Sequence, residues 1–325
     1  MRALIIGTGS IGTRHVHNIR EMRPDTEFVF LRRTASRDAL AESCNADVVA
    51  NFYETLKPRP DYAVIATPSG LHMDAITALV EATIPFYIEK PVVTRQTDVD
   101  TLRRLLKENK FSGPTLVGCN LRFLKSLLRI RDILKEGSLG TVVRAQLTVG
   151  QWLPDWRTFQ DYRQSYSARR DLGGGVVFDL IHELDLIRWW FGEFEHVTGH
   201  TGKFSMLEID AEDTASILLK KKSGPPLVTL NMDYVSRRPV RRYELVGDRA
   251  TLIWDLGEQT LRKIGPRETE VIDCGNDGFA MADSYKTAMR HFIKCVETLQ
   301  PTCLDIADGL KTTELALRSK LGDTP

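Results

Sequence analysis

A lysine that follows a short apolar run is the first side chain suited to proton transfer. The run is Phe86–Ile88, and Glu89 and Lys90 come directly after it. Short apolar runs are typical of buried strands, so both side chains are expected at the end of a strand. An amine in that position can exchange a proton with a reacting hydroxyl group. A lysine beside a glutamate is also common on protein surfaces, so the pair alone is weak support for a site.

An aspartate and a histidine downstream of three glycines form a second candidate catalytic group. Gly173–Gly175 precedes Asp179 and His182, which are three residues apart in a stretch with helical spacing. Residues three apart share one helix face, where an aspartate can orient an imidazole that exchanges protons with substrate. Two alternatives stay open: a metal site that includes Asp185, and a hydrogen-bonded core histidine. We expect no metal, because Lys90 already supplies a positive charge.

The first predicted strand leads into a glycine-rich turn of the form G-x-G-x-x-G, which consists of Gly7, Thr8, Gly9, Ser10, Ile11 and Gly12. In dinucleotide-binding folds the first glycine permits the tight turn and the second lets the backbone approach a pyrophosphate, while the third lets helix and strand pack closely. The following helix offers unpaired N–H groups and its positive dipole end to the phosphates. A glycine turn without a ligand is the alternative, which the position between strand and helix disfavours.

The stretch after the second predicted strand indicates which dinucleotide binds. NAD enzymes usually carry an acidic residue there, about 20 residues after the glycines, for the ribose 2′-hydroxyl. This chain has Arg32, Arg33 and Thr34 instead. Guanidinium groups bind phosphate in bidentate geometry, so we predict NADP as the cofactor, with NAD as the alternative. The two arginines could also be solvated loop charges.

Residues after a later apolar run are predicted to line the cofactor crevice. The run covers 63–66, and Thr67, Pro68, Ser69 and His72 follow it. Ligands of open α/β sheets bind outside the carboxyl ends of the strands, where Glu89 and Lys90 are also expected. Ser69 could equally cap a helix, and a packing or capping role is the favoured interpretation of His72.

The order of elements predicts two domains. Strand and helix patterns alternate over residues 1–120, which predicts a dinucleotide-binding Rossmann domain with a doubly wound parallel sheet. Residues 121–325 contain consecutive strands with short connections, which predicts an α+β domain with a mixed or antiparallel sheet. Helix patterns of this second domain lie near 123–136, 174–191, 283–298 and 305–319.

Together these motifs resemble the glucose–fructose oxidoreductase / inositol dehydrogenase / MocA family over nearly the whole chain. The resemblance is carried by the glycine turn, Thr67–Ser69, Glu89-Lys90-Pro91, Gly118–Phe123 and the three glycines with Asp179 and His182. It implies hydride transfer between a nicotinamide and a secondary hydroxyl or ketone of a sugar derivative. It also implies that the second domain binds substrate and carries a large open sheet that often forms the oligomer interface, so we expect a homodimer or homotetramer.

The resemblance further implies roles for individual residues. Lys90 is the main proton-transfer or substrate-polarising residue, with Asp179 and His182 beside it, and Asn120 and Arg122 lie near the nicotinamide and the substrate. Two features depart from the family. Its members often space the aspartate and histidine four apart, which leaves open which of the two touches the reacting hydroxyl. Its NAD-using members also keep the acid that this chain lacks.

A long segment without clear periodicity, residues 151–172, is predicted to contact substrate. Its candidate binding residues are Trp156, Arg157, Tyr162, Arg163 and Tyr166. Loops of this length are usually functional or disordered, and the aromatic content argues against disorder. Because aromatic faces suit sugar rings and arginines suit anionic groups, we favour an acidic or nucleotide-linked sugar over a purely structural loop.

Two other function classes remain open for this sequence. A non-catalytic dinucleotide sensor would share the glycine turn but would not need Lys90, Asp179 and His182. The second is an enzyme that recycles a bound nicotinamide in a redox-neutral step, such as glycoside cleavage or epimerisation.

Composition excludes several partners. The 325 residues carry a net charge of +1, so no nucleic acid or anionic membrane partner is expected. No run of about 18 apolar residues occurs, so no membrane-spanning helix is predicted. The five cysteines are scattered and lack C-x-x-C spacing, which predicts reduced thiols in a cytoplasmic protein.

Overall fold

The computed structural model describes residues 1–156 and 160–321, and the chain divides into two compact units. The first unit comprises residues 1–119 and 285–311. The second comprises residues 120–284 together with the chain from Thr312 onwards. The C-terminal part of the chain therefore contributes to both units.

The sheet of the first unit has six parallel strands, which are β1 (Arg2–Ile6), β2 (Glu27–Leu31), β3 (Asp47–Val49), β4 (Tyr62–Ile65), β5 (Phe86–Ile88) and β6 (Thr115–Val117). Their order is β3-β2-β1-β4-β5-β6, the usual order of the Rossmann fold. Strands β1, β4, β5 and β6 are short, mostly apolar runs because both faces of the sheet are buried there, whereas the edge strand β3 is only partly buried. The predicted doubly wound parallel sheet is therefore confirmed.

The helices of this part of the chain are α1 (Ser10–Met22), α2 (Ala39–Ser43), α3 (His72–Glu81) and α4 (Gln96–Glu108). They connect successive strands, as the alternating pattern predicts. The strand order reverses between β1 and β4, and ligands of such sheets bind outside the carboxyl ends of the strands at that reversal. The loops that follow β1, β2, β4 and β5 at this edge carry the candidate cofactor residues.

The sheet of the second unit has eight strands, which are β7 (Val142–Gly150), β8 (His196–Gly202), β9 (Thr214–Lys220), β10 (Leu227–Asp233), β11 (Val240–Gly247), β12 (Thr251–Asp255), β13 (Thr260–Ile264) and β14 (Thr269–Val271). Their order is β14-β13-β12-β11-β7-β10-β9-β8. Neighbours are antiparallel except β7 and β10, which are parallel. This open mixed sheet confirms the predicted α+β class.

The remaining helices are α5 (Lys125–Glu136), α6 (Val176–Asp179), α7 (His182–Phe191), α8 (Met281–Thr298) and α9 (Ile306–Leu321). Helix α5 ends where the sequence predicts, at Gly137, whose φ of 68° lies in the left-handed region that glycine adopts without strain. Apolar residues of α5, α6 and α7 share one core with alternate residues of the strands. None of the described helices has the length and apolar character needed to cross a membrane.

The prediction of one continuous helix near 174–191 is wrong. Helix α6 ends at Asp179, and α7 begins at His182. Between them Leu180 leaves helical geometry, with φ −101° and ψ 28°. Asp179 and His182 therefore belong to two helices, and the argument that they share one helix face does not hold.

Candidate active site

The glycine turn after β1 has the geometry that a pyrophosphate site needs. Gly7 has φ +89°, and a β-carbon on Gly12 would lie 2.1 Å from the Gly7 carbonyl oxygen. Both positions therefore require glycine. A β-carbon on Gly9 would meet no atom within 4 Å in the described part of the chain, so this glycine leaves open space beside the turn. Helix α1 starts there at Ser10, with no side chain capping its first N–H groups and no acidic residue in its first turn.

In the loop after β2, one predicted arginine is hydrogen-bonded within the protein and the other is exposed. The Arg32 guanidinium donates to the Asp38 carboxylate at 3.0 Å and to the Ser36 carbonyl at 3.2 Å. Arg33 and Thr34 are exposed, and the Thr34 and Ser36 hydroxyl oxygens lie 3.0 Å apart. Arg33 and Thr34 are therefore better placed than Arg32 to meet a phosphate.

The loop after β4 contains a buried polar atom that the protein does not satisfy. The Thr67 hydroxyl is buried and has no hydrogen-bond partner among the described residues. A buried hydroxyl without a partner is costly, so it fits a ligand that supplies one. The neighbouring Pro68 is half-buried, and the Ser69 hydroxyl donates to the Lys90 carbonyl at 3.4 Å. Thr67 is therefore the residue of this loop with a buried polar atom left for a ligand.

His72 has both ring nitrogens against backbone carbonyls. Nδ1 lies 3.1 Å from the carbonyl oxygens of Pro91 and Val92, and Nε2 lies 3.0 Å from that of Thr67. The ring is fully buried. Burial lowers the pKa of His72 although the three oxygens favour a protonated ring. These contacts give His72 a bracing role and leave it no nitrogen for a cofactor, in line with the packing interpretation from the sequence.

Glu89 and Lys90 lie at the carboxyl end of β5, as predicted. The Glu89 carboxylate is buried, and its Oε1 lies 2.7 Å from His15 Nε2 on α1. A β-carbon on Gly118 would come within 3.0–3.1 Å of the carboxyl atoms. Lys90 is half-buried. Glu89 is therefore buried against His15, and its role as a cofactor contact stays a prediction.

In the second unit, backbone and side-chain atoms lie close to the three glycines and leave no room for a side chain at Gly174 or Gly175. A β-carbon on Gly174 would lie 2.3 Å from the Tyr166 carbonyl oxygen. One on Gly175, which has φ +110°, would lie 2.4 Å from the Glu212 carboxyl group. The glycines therefore set the entry of the chain into α6 and so the place of Asp179.

Asp179 is held by a residue that sequence reasoning missed. The Tyr234 hydroxyl donates to Asp179 Oδ2 at 2.6 Å, and both side chains are buried. Burial and the Asp179 charge raise the pKa of Tyr234 well above its ordinary value, so the hydroxyl stays a donor. The Trp156 ring meets the Tyr234 ring edge to face, with centroids 5.3 Å apart. Tyr234 thus joins the predicted substrate loop to Asp179.

Two further predicted residues take part in buried polar contacts. Arg122 forms a bidentate ion pair with Asp185 of α7, with both N–O distances 2.7 Å. The Asn120 amide donates to the Ser284 hydroxyl at 2.7 Å, while its Oδ1 is buried with no hydrogen-bond partner in the described chain. Arg122 therefore anchors α7, and Asn120 keeps an acceptor available. Asp185, one member of the alternative metal site, is engaged by Arg122.

The residues of the predicted substrate loop form two groups. Arg163 pairs with Asp161 and with Glu208 at 2.6 Å, and the Tyr162 hydroxyl accepts from the Glu208 backbone N–H. Tyr166 is half-buried, and Arg157 lies outside the described residues. The structure thus places Tyr162 and Arg163 against Glu208 and brings Trp156 towards Asp179 through Tyr234.

Removal of the Tyr234 hydroxyl should lower kcat by more than the loss of a buried hydroxyl alone would explain. In Tyr234→Phe the ring stays and Asp179 loses a charge-assisted hydrogen bond, which typically contributes about 1.5–3 kcal/mol. We expect kcat to fall about tenfold, as a positioning error of the carboxylate would cause. Tyr243→Phe is the matched control, since that buried hydroxyl donates to Glu183 at 2.6 Å and Arg241 also pairs with Glu183. Equal kcat losses in both variants would contradict a special role for Tyr234.

Comparisons with known proteins agree with this fold. A family model described as "Oxidoreductase family, NAD-binding Rossmann fold" matches residues 1–112, and one described as "GFO/IDH/MocA C-terminal domain" matches residues 127–253. Together they cover most of the chain in the order in which the two folds occur.

Individual relatives cover different shares of the chain. Myo-inositol 2-dehydrogenase of Thermotoga maritima is 26% identical, over 98% of this chain and 95% of the relative. The 2,7-anhydro-N-acetylneuraminate hydratase of Mediterraneibacter gnavus is 24% identical, over 61% of this chain and 51% of the relative.

A solved structure extends the likeness to the whole fold. Levoglucosan dehydrogenase in complex with NADH and levoglucosan superposes with a TM-score of 0.84 at 15% identity, over 98% of this chain and 96% of that one. At this identity the likeness concerns the fold alone. The two family models decide the assignment: this chain belongs to the GFO/IDH/MocA family of oxidoreductases, and its first domain is the family's NAD-binding Rossmann fold.

Proposed function

We propose that the protein transfers a hydride between a nicotinamide cofactor and a secondary hydroxyl or ketone of a sugar or polyol derivative. The observation that carries the proposal is the arrangement of one sheet edge in the first unit. The glycine turn follows β1, and Lys90 follows β5, two strands away. At about 4.8 Å per strand, that is about 10 Å across the sheet. A dinucleotide whose pyrophosphate lies at the glycine turn is long enough to reach Lys90.

The residues of this chain fit such a cofactor. The space beside Gly9 and the uncapped start of α1 suit the pyrophosphate. The Thr67 hydroxyl supplies a buried donor that needs a partner. When bound, the nicotinamide accepts or donates the hydride. The inositol and levoglucosan dehydrogenases to which this chain is similar support a polyhydroxylated substrate.

Proton transfer is assigned to the protein. In the oxidation direction the substrate hydroxyl gives its proton to the Lys90 amine, and the carbon–oxygen bond becomes a carbonyl as the hydride leaves carbon. In reduction Lys90 returns the proton to the oxygen. Asp179, fixed by Tyr234, and His182 are proposed to orient the hydroxyl and to support this exchange. None of these roles requires a metal ion.

We further propose that NADP is preferred, with Arg33 and Thr34 as the contacts of the 2′-phosphate. Arg33→Ala removes an exposed guanidinium that no protein carboxylate holds among the described residues, so the NADPH Kd should rise about tenfold while the NADH Kd stays unchanged. Titration with each reduced cofactor measures both constants. Arg104→Ala, an exposed arginine on α4, is the control. Equal affinity of the parent protein for NADPH and NADH would contradict the preference.

The substrate is proposed to be a sugar with an acidic group, or a nucleotide-linked sugar. Trp156 supplies an aromatic surface next to the Tyr234–Asp179 pair, and its indole N–H is buried with no hydrogen-bond partner among the described residues. Aromatic rings stack on sugar rings, and a buried N–H without a partner suits a sugar oxygen. Arg163 is paired with Asp161 and Glu208, so Arg157 is the arginine proposed to meet a negative charge on the ligand.

A redox-neutral reaction with recycled cofactor is the second candidate, and the hydratase relative favours it. A panel of cyclitols, neutral sugars, acidic sugars and nucleotide sugars, each with NADP⁺ and NAD⁺, separates the possibilities. Net formation of reduced cofactor with at least one compound is the expected result. Product without net cofactor change would favour the second candidate. Cofactor binding with no conversion of any compound would favour a dinucleotide sensor.

A further inference from the structure

The segment that carries Lys90 is held on both sides by buried histidines. His15 lies on α1, directly after the glycine turn, and His72 is the first residue of α3. Both side chains have no exposed surface. Because neither ring reaches solvent, a function for either one has to act through the protein groups that it touches.

On the amino-terminal side, His15 fixes Glu89. The 2.7 Å contact between His15 Nε2 and Glu89 Oε1 is short enough for a charge-assisted hydrogen bond. Tyr87 packs against the imidazole with ring centroids 4.8 Å apart, and Gly118 leaves just the room that the carboxyl group fills. The Glu89 side chain is thus confined by α1, β5 and the residue after β6.

On the carboxyl-terminal side, His72 fixes the backbone. Its ring connects the carbonyl groups of Pro91 and Val92 to that of Thr67 in the loop after β4. The Ser69 hydroxyl adds a contact to the Lys90 carbonyl. The backbone from the Lys90 carbonyl onwards is therefore tied to the loop after β4, which carries proposed cofactor contacts.

We propose that His15 and His72 are positioning residues that together hold Lys90 at the point where it exchanges a proton with substrate. This inference rests on the proposed function, in which Lys90 is the proton-transfer group. A displacement of a catalytic group by about 1 Å can cost about 10²-fold in rate. The histidines tie Glu89 to α1 and the backbone after Lys90 to the loop after β4, next to the proposed cofactor contacts.

The test compares variants of the protein that keep an aromatic ring with a variant that keeps a hydrogen-bond donor. His15→Phe and His72→Phe keep a ring but remove the nitrogens. His15→Gln keeps an amide that can donate to Glu89. His17→Gln is the control, because His17 is exposed on the same helix. Three quantities are measured for each: kcat, the NADPH Kd, and the rate at which an amine-reactive ester labels Lys90, followed by mass spectrometry.

We expect kcat to fall about 10- to 100-fold in each phenylalanine variant. The ester should label Lys90 in these variants at least about threefold faster, since an amine that is held less firmly is more accessible. The NADPH Kd should stay within about threefold of the parent value. His15→Gln and His17→Gln should behave like the parent. The proposal is overturned by folded phenylalanine variants with parental kcat and labelling. It is also overturned by a His15→Gln variant that loses as much turnover as His15→Phe.

The labelling rate separates this inference from the proposed function. If Lys90→Met itself keeps parental turnover, the catalytic assignment of Lys90 fails whatever the histidines do. If Lys90→Met loses turnover while the phenylalanine variants keep parental kcat and labelling, only the positioning role of the histidines fails.

Discussion

Replacement of Lys90 by methionine should cut turnover by at least about 10²-fold, the usual contribution of a general acid or base. Methionine keeps most of the length and apolar character of the lysine stem but cannot hold a proton. The cofactor contacts proposed here lie on other residues, so the NADPH Kd should change by less than about threefold. Steady-state kinetics with a substrate from the sugar panel, together with cofactor titration, measure both quantities.

The control for this variant is Lys107→Met, which removes an exposed lysine from α4. Its turnover should match that of the parent. Near-parental turnover in Lys90→Met would contradict the assignment of Lys90 as the proton-transfer group. Loss of both turnover and cofactor binding would instead indicate a general disturbance of the sheet edge.

The second large effect is expected from Gly9→Ala. The added methyl group would meet no atom within 4 Å among the described residues, and Gly9 has φ −68°, which alanine adopts without strain. The melting temperature of the cofactor-free protein should therefore change little. The methyl group would occupy the side on which a pyrophosphate approaches the backbone. We expect the NADPH Kd to rise at least about tenfold, which is about 1.4 kcal/mol of binding free energy.

Gly12→Ala is the contrasting variant. Its β-carbon would lie 2.1 Å from the Gly7 carbonyl oxygen, so both the melting temperature and cofactor affinity should fall. Calorimetry and cofactor titration on the two variants distinguish a ligand-facing glycine from a packing glycine. Unchanged NADPH affinity in Gly9→Ala would show that the pyrophosphate does not lie at this turn.

The first domain was predictable in detail because its signals are local. Strands buried on both faces appear as short apolar runs, and the steric need for glycine at positions 7 and 12 follows from one tight turn. The parallel sheet then places Lys90 at the same edge as the glycine turn, since carboxyl ends of parallel strands share one edge. The sequence did not show that residues 285–311 belong to this unit. Their helical pattern shows that one helix face is buried, but it does not show which part of the chain covers that face.

The contacts that position the candidate catalytic residues were not predictable. Tyr234 and Asp179 are 55 residues apart, and His15 and Glu89 are 74 apart. In the sequence Tyr234 is the apolar end of a strand pattern, and His15 occupies a core position of a helix. The break after Asp179 was missed because Leu180 and Ile181 continue the apolar periodicity of a helix. Which side chains become hydrogen-bond partners depends on the tertiary structure, and the periodicity of the sequence gives no information about it.

The central proposal is that the Lys90 amine exchanges a proton with a substrate bound beside the nicotinamide. A crystal structure of the protein with NADP⁺ and a substrate from the panel tests it most directly. The account predicts the Lys90 amine within hydrogen-bonding reach, about 2.6–3.2 Å, of an oxygen on the sugar, with the reacting carbon facing the nicotinamide. A complex in which the Lys90 amine contacts no oxygen of the sugar, or in which the dinucleotide binds away from Gly9, would contradict it.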